Sequence, residues 1–380
     1  MTVIVLHGSS KQGKSSVLRN NLRKGSFLQI SGGKGLSPES VFRDLLNQCG
    51  AVVGGGVKTS GSGELKANLA VVSFKLGGSA GVEHKEIAAD LANPASVARV
   101  LNQCTKLRTI VIENFHFFDA DVQVQLAQAM RTFEDVPNDD ADDDGFQFVV
   151  LGTWNSEDYL QSMANLAGRV QSISVDPWLD SDLEAVFDAG APHLNVRFGG
   201  RLKKSLITYA HGNVGLLQEL ILATIEKHRV LETAATPVTI ENYSLADQAA
   251  HEIMGKESDS VLKHLRVISD CGANYAGGKT RSHWILKAFL SGEQATIEDG
   301  YPLERLLEET NALVRAIDKK VELLSPQAFN LLVKRQWLEY QLDKITSPLI
   351  VFDGKKSLVI LDGWAKLVLK LNRRKIAQGF

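Results

Sequence analysis

The chain reads as α/β in its first half, a parallel sheet flanked by helices, followed by a small helical region and a closing set of helices around one hairpin. Three observations predict this. Apolar runs of strand length alternate with helical patterns from Thr2 to Val175, the order of a parallel sheet with crossover helices. From Leu179 to Gly255 apolar residues recur at helical spacing. Residues 258–380 give helices, two strand-like runs meeting at Asp353-Gly354, and a last helix.

The first strand, Thr2–Leu6, feeds directly into Gly8-x-x-x-x-Gly13-Lys14-Ser15 and a helical pattern over Ser15–Leu22. This is a phosphate-binding P-loop, which makes the fold class that of a P-loop NTPase. The backbone must curl tightly to aim several N–H groups at phosphates, and Gly8 and Gly13 permit the curl. Lys14 supplies a point charge to the β- and γ-phosphates, Ser15 a hydroxyl to Mg2+, and the helix turns its positive end toward the same anion. Gly8, Ser10, Gly13, Lys14, Ser15 and Ser16 are the expected nucleotide-binding residues.

Ser26–Ser31 reads as the second strand and Ser37–Cys49 as a helix capped by Ser37. Residues 50–82 interrupt the alternation, with glycine clusters at 54–56, 61–63 and 77–78 around the β-type run Leu69–Leu76. They read equally as a mobile hairpin-like insertion or a disordered linker, with contact to a neighbouring subunit or a polymer partner as a lesser, functional reading. A helix is expected over His84–Cys104 with a break at Pro94.

Thr109–Glu113 is an apolar strand ending in an acid and followed by Asn114. That is the form of a Walker B element, in which a carboxylate at the strand's end holds Mg2+ or its water. A helix follows over Asp119–Phe133. The acidic run 134–144 then reads as a solvated loop, because nothing organises its carboxylates beforehand. Strands at Gln147–Leu151, leading into Thr153-Trp154-Asn155, and at Val170–Val175 complete the sheet.

The helical patterns at Asp180–Asp188, Leu202–Ala210, Gly215–His228 and Ile240–Ile253 form a lid over the sheet. Helices at Tyr301–Lys319 and Pro326–Gln341, a hairpin over Pro348–Asp362 and a closing helix have the order of a winged helix. Gly277-Gly278-Lys279-Thr280 resembles half a P-loop, but Ala273 stands where the first glycine is needed, so it reads as a polar loop. Three domains follow: 1–177 for nucleotide, with its insertion at about 50–82 and acidic loop at 134–144; 178–256 as the lid; and 257–380 as the winged-helix-like region.

The 380 residues carry a net charge of −2. The balance is uneven, since residues 256–380 hold 20 Lys and Arg against 15 Asp and Glu. Cys49, Cys104 and Cys271 have no metal-type spacing, which fits a reduced, cytoplasmic protein without disulfides. No apolar stretch approaches the ~20 residues of a membrane span, so no membrane partner is expected.

Taken together, the P-loop, the strand ending Ile-Glu-Asn, the strand leading to Thr-Trp-Asn, Ala-Gly-Arg-Val at 167–170, the helical lid and the winged-helix-like tail resemble the AAA+ ATPases and the related STAND ATPases. The resemblance covers roughly residues 1–255, and the tail more loosely. It implies ATP and Mg2+ as cofactors, with Mg2+ on Ser15 and Glu113. It also implies a sensor role at Asn155, which feels the γ-phosphate and the attacking water. Arg169 falls near the position of an arginine that reaches a neighbour's nucleotide.

Three departures shape the expectation. Most members carry Asp-Glu where this chain has Glu113-Asn114, and an asparagine cannot accept a proton as a general base. Hydrolysis is then slow, unless nearby His116 substitutes. The segment Ala210–Gly215 lacks the second sensor arginine of many members, which leans toward the STAND side or toward initiator-like and transposition-type ATPases. The P-loop lies almost at the start of the chain, without a preceding segment to enclose the base, so GTP stays open beside ATP.

The leading expectation is a slow ATP-dependent switch in regulation or anti-phage defence, acting through a protein partner, a homo-oligomer or nucleic acid. The alternative is an ATPase that loads or remodels double-stranded DNA, with Lys366, Lys370, Arg373, Arg374 and Lys375 as a basic cluster. A third is a small-molecule kinase, which needs basic residues over the phosphates and has Arg197, Arg201, Lys203 and Lys204 as candidates.

Overall fold

Strands β1 (Val3–His7), β2 (Leu28–Ser31), β6 (Thr109–Glu113), β7 (Gln147–Gly152) and β8 (Val170–Ser174) form one parallel sheet in a computed structural model of the chain, as the alternating pattern predicts. The structure describes residues 3–54, 69–78, 81–136, 145–153, 168–175, 177–293, 299–345 and 348–380. These divide into two compact units: 3–7, 14–153 and 168–174 in the first, and 8–13 and 175–380 in the second.

In the first unit, helix α1 (Lys14–Asn21) follows β1, and α2 (Pro38–Gln48) follows β2. Then come β3 (Val52–Val53), β4 (Leu69–Gly78), β5 (Gly81–Asp90), α3 (Pro94–Cys104), β6 (Thr109–Glu113), α4 (Ala120–Asp135), β7 (Gln147–Gly152) and β8 (Val170–Ser174). The sheet order is β2-β6-β7-β1-β8. The inner strands are apolar on both faces because helices cover both. Leu6, Val111, Val149 and Leu151 pack with Leu18 of α1. Phe133 of α4 meets Phe42, Phe146 and Phe148 at centroid separations of 5.9, 5.5 and 5.7 Å.

The expected helix over residues 84–93 is corrected. Residues Gly81–Asp90 are a strand, paired antiparallel with β4 from Leu69↔Asp90 to Gly78↔Gly81. The local preference of Ala88-Ala89 for helix yields to ten paired residues, since strand formation depends on context more than on composition. Pro94 therefore opens a helix instead of breaking one, with Asn93 Oδ1 accepting from the Ala95 N–H at 3.0 Å. With β3, the pair makes a three-stranded antiparallel sheet, so the insertion is a hairpin.

The second unit contains α5 (Asp180–Leu194), β9 (Val196–Phe198), α6 (Gly200–Ala210), α7 (Val214–Lys227), β10 (Val238–Ile240) and α8 (Ser244–Ser269). After these come α9 (Arg281–Ser291), β11 (Tyr301–Pro302), α10 (Leu303–Ile317), α11 (Pro326–Leu331), a π-helical turn over Leu332–Gln336 and α12 (Trp337–Lys344). The hairpin β12 (Ile350–Phe352) and β13 (Ser357–Ile360) and helix α13 (Gly363–Gly379) complete it. The hairpin turns at Asp353-Gly354 as expected. Gly354 has φ +76°, and Asp353 Oδ1 accepts three backbone N–H groups from residues 355–357.

Two hydrophobic clusters hold this unit, and α8 and α13 belong to both. Ala249, Ala250 and Ile253 of α8 join Trp364 and Leu367 of α13 in the first cluster. Val261, Leu265 and Ile268 join Ala365, Val368 and Leu369 in the second. The boundary expected at 256/257 thus falls inside a continuous helix. Fully buried Gln341 fastens α12 to β12: its amide donates to the Ile350 carbonyl at 2.7 Å, and its oxygen accepts from Leu349 N–H at 2.7 Å.

Among the described residues no helix is long and apolar enough to cross a membrane. Cys49, Cys104 and Cys271 form no disulfide, and burial pushes the Cys49 thiol up to about 11, so it stays protonated.

Candidate functional site

In the first unit the predicted residues gather at the carboxyl edge of the sheet, where α/β proteins bind ligands. Val150 pairs with both Val5 and Ile112. Glu113 is therefore level with Leu6 and, with β7 between, roughly 10 Å from β1 at ordinary strand spacing. Its side chain is half-buried, and its carbonyl accepts from Gly32 N–H at 2.8 Å. Lys14 opens α1 and Ser15 follows, both half-buried, while Ser16 is exposed.

Asn114 turns the chain sharply, with φ 54° and ψ 35° in the left-handed region that asparagine tolerates. Its Nδ2 donates to Ser31 Oγ at 3.2 Å. The side chain thus orients toward the end of β2 and remains exposed. The turn also brings β2 and β6 close together. A Cβ on Gly32 would lie 2.2 Å from the Asn114 carbonyl oxygen.

His116 sits on the 3-10 turn Phe115–Phe117 after this bend. Burial, and then the charge of Lys14, lowers its pKa to about 4. Its Nδ1 accepts the Thr153 N–H at 3.3 Å, which places the proton on Nε2. An imidazole so weakly basic, with its acceptor nitrogen engaged, is a poor stand-in for a general base. It is instead a neutral joint between the ends of β6 and β7.

That joint has a pH signature. The folded pKa lies below the ordinary 6.5, so between pH 6.5 and 4 the unfolded chain takes up a proton that the folded one refuses. The stability from neutral His116 is complete above pH 6.5 and lost as pH falls toward 4. His116→Gln keeps an acceptor but does not titrate, so its urea midpoint should drop less between pH 7 and pH 5 than that of the wild type. Equal drops would overturn the assignment.

Arg169 stands at the other edge of the sheet. Its carbonyl accepts from Val3 N–H at the start of β1, and its guanidinium pairs with Glu134 at the end of α4. Asn155 and residues 137–144 of the acidic run lie outside the described residues.

In the second unit, the loop Gly8–Gly13 has left-handed φ values at three positions: Gly8 at 144°, Lys11 at 57° and Gly13 at 89°. Alternation of this kind turns successive N–H groups inward into an anion-binding concavity. The loop is held by residues that no local motif marks. Buried Gln12 donates through Nε2 to the Gly212 carbonyl and accepts the Val214 N–H, both at 3.1 Å. Asn213 caps α7 by accepting from Leu216 N–H at 2.9 Å, and its Nδ2 donates to the Ser10 carbonyl at 3.2 Å. The Trp178 indole N–H donates to the Gln12 carbonyl at 3.3 Å. The segment Ala210–Gly215, which lacks a second sensor arginine, instead supplies Asn213 and two backbone groups to the loop.

The donor set fits MgATP. The glycine-bearing loop of the second unit and, taken by itself, the N-terminus of α1 in the first each suit phosphate. A serine hydroxyl and one strand-end carboxylate suit Mg2+, which keeps waters and phosphate oxygens as its other ligands. No cluster of three His, Cys, Asp or Glu side chains that could hold a metal occurs among the described residues.

No family model matches the chain, and no curated protein matches it. Among solved structures, the chain is similar to the Orc1 protein of Aeropyrum pernix in complex with DNA. The identity is 12% and the TM-score 0.38, over 100% of this chain and 88% of that one. It is also similar to the RuvB Holliday junction branch migration motor of Thermotoga maritima, at 13% identity and a TM-score of 0.40, over 87% of each chain.

Proposed function

We infer that the chain binds MgATP on Gly8–Ser15 and works as a slow ATP-dependent switch of the AAA+/STAND kind, acting on a protein partner or a second copy. The observation that carries this reading is the loop itself, with left-handed φ at Gly8, Lys11 and Gly13 immediately before the Lys14 and Ser15 that open α1. Lys14 neutralises phosphate charge, Ser15 and Glu113 orient the metal, and Asn155 senses the γ-phosphate. Bound Mg2+ supplies charge neutralisation at the β- and γ-oxygens. Asn114 supports slow turnover, since its amide cannot take a proton from water. Arg169, at the far edge of its own sheet, acts in this reading toward a neighbouring copy.

A second reading, an ATPase that acts on double-stranded DNA, is favoured by the C-terminal elements. A helix, a strand, three helices and a hairpin run from α9 to β13, with β11-β13-β12 as the sheet, and this reading takes that order as a winged helix. Exposed Lys334 and Arg335 follow α11, and exposed Lys355 and Lys356 sit on the hairpin turn. ATP hydrolysis measured alone and with duplex DNA across a salt series separates the two. The switch predicts tight MgATP binding with turnover below about one per second, unmoved by DNA. Stimulation by DNA that collapses between about 50 and about 200 mM salt selects the DNA-acting ATPase.

A further inference from the structure

Three segments far apart in sequence converge on the outer side of the phosphate loop. Lys11 Nζ pairs with Glu219 Oε1 on α7 at 2.6 Å and lies over the Trp364 ring, 4.8 Å from its centroid. The Trp364 indole N–H donates to the other oxygen, Glu219 Oε2, at 2.9 Å. One residue row away, Ser9 Oγ donates to the Leu361 carbonyl at 2.9 Å. The fit leaves no slack. A Cβ on Gly215 would lie 2.4 Å from Lys11 Cβ and 3.3 Å from the Trp364 ring.

We propose that Glu219 and Trp364 are positioning residues for the phosphate loop, through which nucleotide occupancy is reported to the start of α13. This inference rests on the nucleotide-binding reading of Gly8–Ser15 and deepens it by naming the route of regulation. Lys11 and Glu219 are both substantially exposed, and ion pairs of that kind are individually weak. The clamp is therefore strong enough to bias the loop and weak enough to be reset. A loop that must adopt three left-handed φ values binds phosphate better when its shape is held beforehand. By reciprocity, phosphate that fixes the loop tightens the contacts at Leu361 and Trp364.

The test uses the full chain, with ATP affinity from titration of a fluorescent ATP analogue and hydrogen exchange followed in peptides covering 358–370. Wild type is expected to show slower exchange there when MgATP is added. Glu219→Gln removes the charge opposite Lys11 and keeps the packing, and Trp364→Phe removes the indole N–H and keeps an aromatic ring. Each should weaken ATP binding about threefold and abolish the ATP-dependent change in exchange. A merely structural role would lower the melting temperature of both without moving that difference. Gly215→Ala, which wedges the loop from another side, should act in the same direction. ATP binding and exchange in both clamp variants equal to wild type would overturn the inference, as would wild type that binds ATP with no change at 358–370. Wild type that binds no ATP would overturn the nucleotide reading and the inference with it.

Discussion

Lys14→Ala is expected to weaken ATP binding by about two orders of magnitude, with only a small change in melting temperature. The reason is electrostatic. Removing a cation from a desolvated phosphate site costs roughly 2–5 kcal/mol, because the partner charge is left unpaired. Two orders of magnitude correspond to ~2.8 kcal/mol, at the lower end of that range, since the loop N–H groups still face the anion. The fold loses little, because half-buried Lys14 belongs to no hydrophobic cluster. A second readout accompanies the first. The Lys14 charge is the lesser of the two causes that lower the His116 pKa, after burial. In Lys14→Ala that pKa should rise yet stay below 6.5, and the imidazole proton shifts in NMR can follow it. ATP affinity equal to wild type would remove Lys14 from the site.

Gly32→Val is expected to destabilise the first unit by roughly 3 kcal/mol, at the upper end of overpacking penalties. Gly32 is needed for space, not for an unusual φ. Its Cβ would lie 2.2 Å from the oxygen and 2.9 Å from the carbon of the Asn114 carbonyl, and backbone cannot swing aside as a flexible side chain can. Relief requires the ends of β2 and β6 to part, which breaks the bond from Gly32 N–H to the Glu113 carbonyl. In a unit of this size that should lower the melting temperature by about 6–12 °C. The displaced carboxylate adds a functional mark: Mg2+-dependent nucleotide binding should suffer more than Mg2+-free binding. Gly35→Ala is the control, because Gly35 has φ +74° but nothing within 4 Å of an added Cβ. It should cost only the ~1–2 kcal/mol of a left-handed alanine. A Gly32→Val protein that melts no lower than Gly35→Ala would refute the close-approach argument.

These two positions also show what the sequence discloses. Lys14 is legible because a phosphate loop is a compact motif, with its glycines, cation and hydroxyl inside eight residues. The strand ending in Glu113 is legible because a buried parallel strand is a continuous apolar run. Asp353-Gly354 announces the hairpin, since that pair tolerates the turn's φ. Gly32 carries no such mark, because its requirement comes from Asn114, in the turn after a strand that is distant in sequence. Strand β5 was hidden by helix-forming residues whose conformation is decided by pairing with β4. Gln12, Asn213, Glu219 and Trp364 were hidden for the same reason. Each is an ordinary residue in its own window and becomes informative only beside a partner some 145 to 203 residues away.

The bond from Ser9 to Leu361 spans 352 residues. Its ends belong to one compact unit, which includes both the loop near the start of the chain and helix α13. During synthesis at about 5–20 residues per second, the loop waits roughly 18 to 70 seconds for its partners to be made. Contacts of such long range make for slow folding, because the loop-closure entropy is lost before any contact compensates for it. The phosphate loop is made long before the residues that hold its shape. A nascent chain therefore carries an unclamped Gly8–Gly13 throughout that interval, until residues 361–364 arrive.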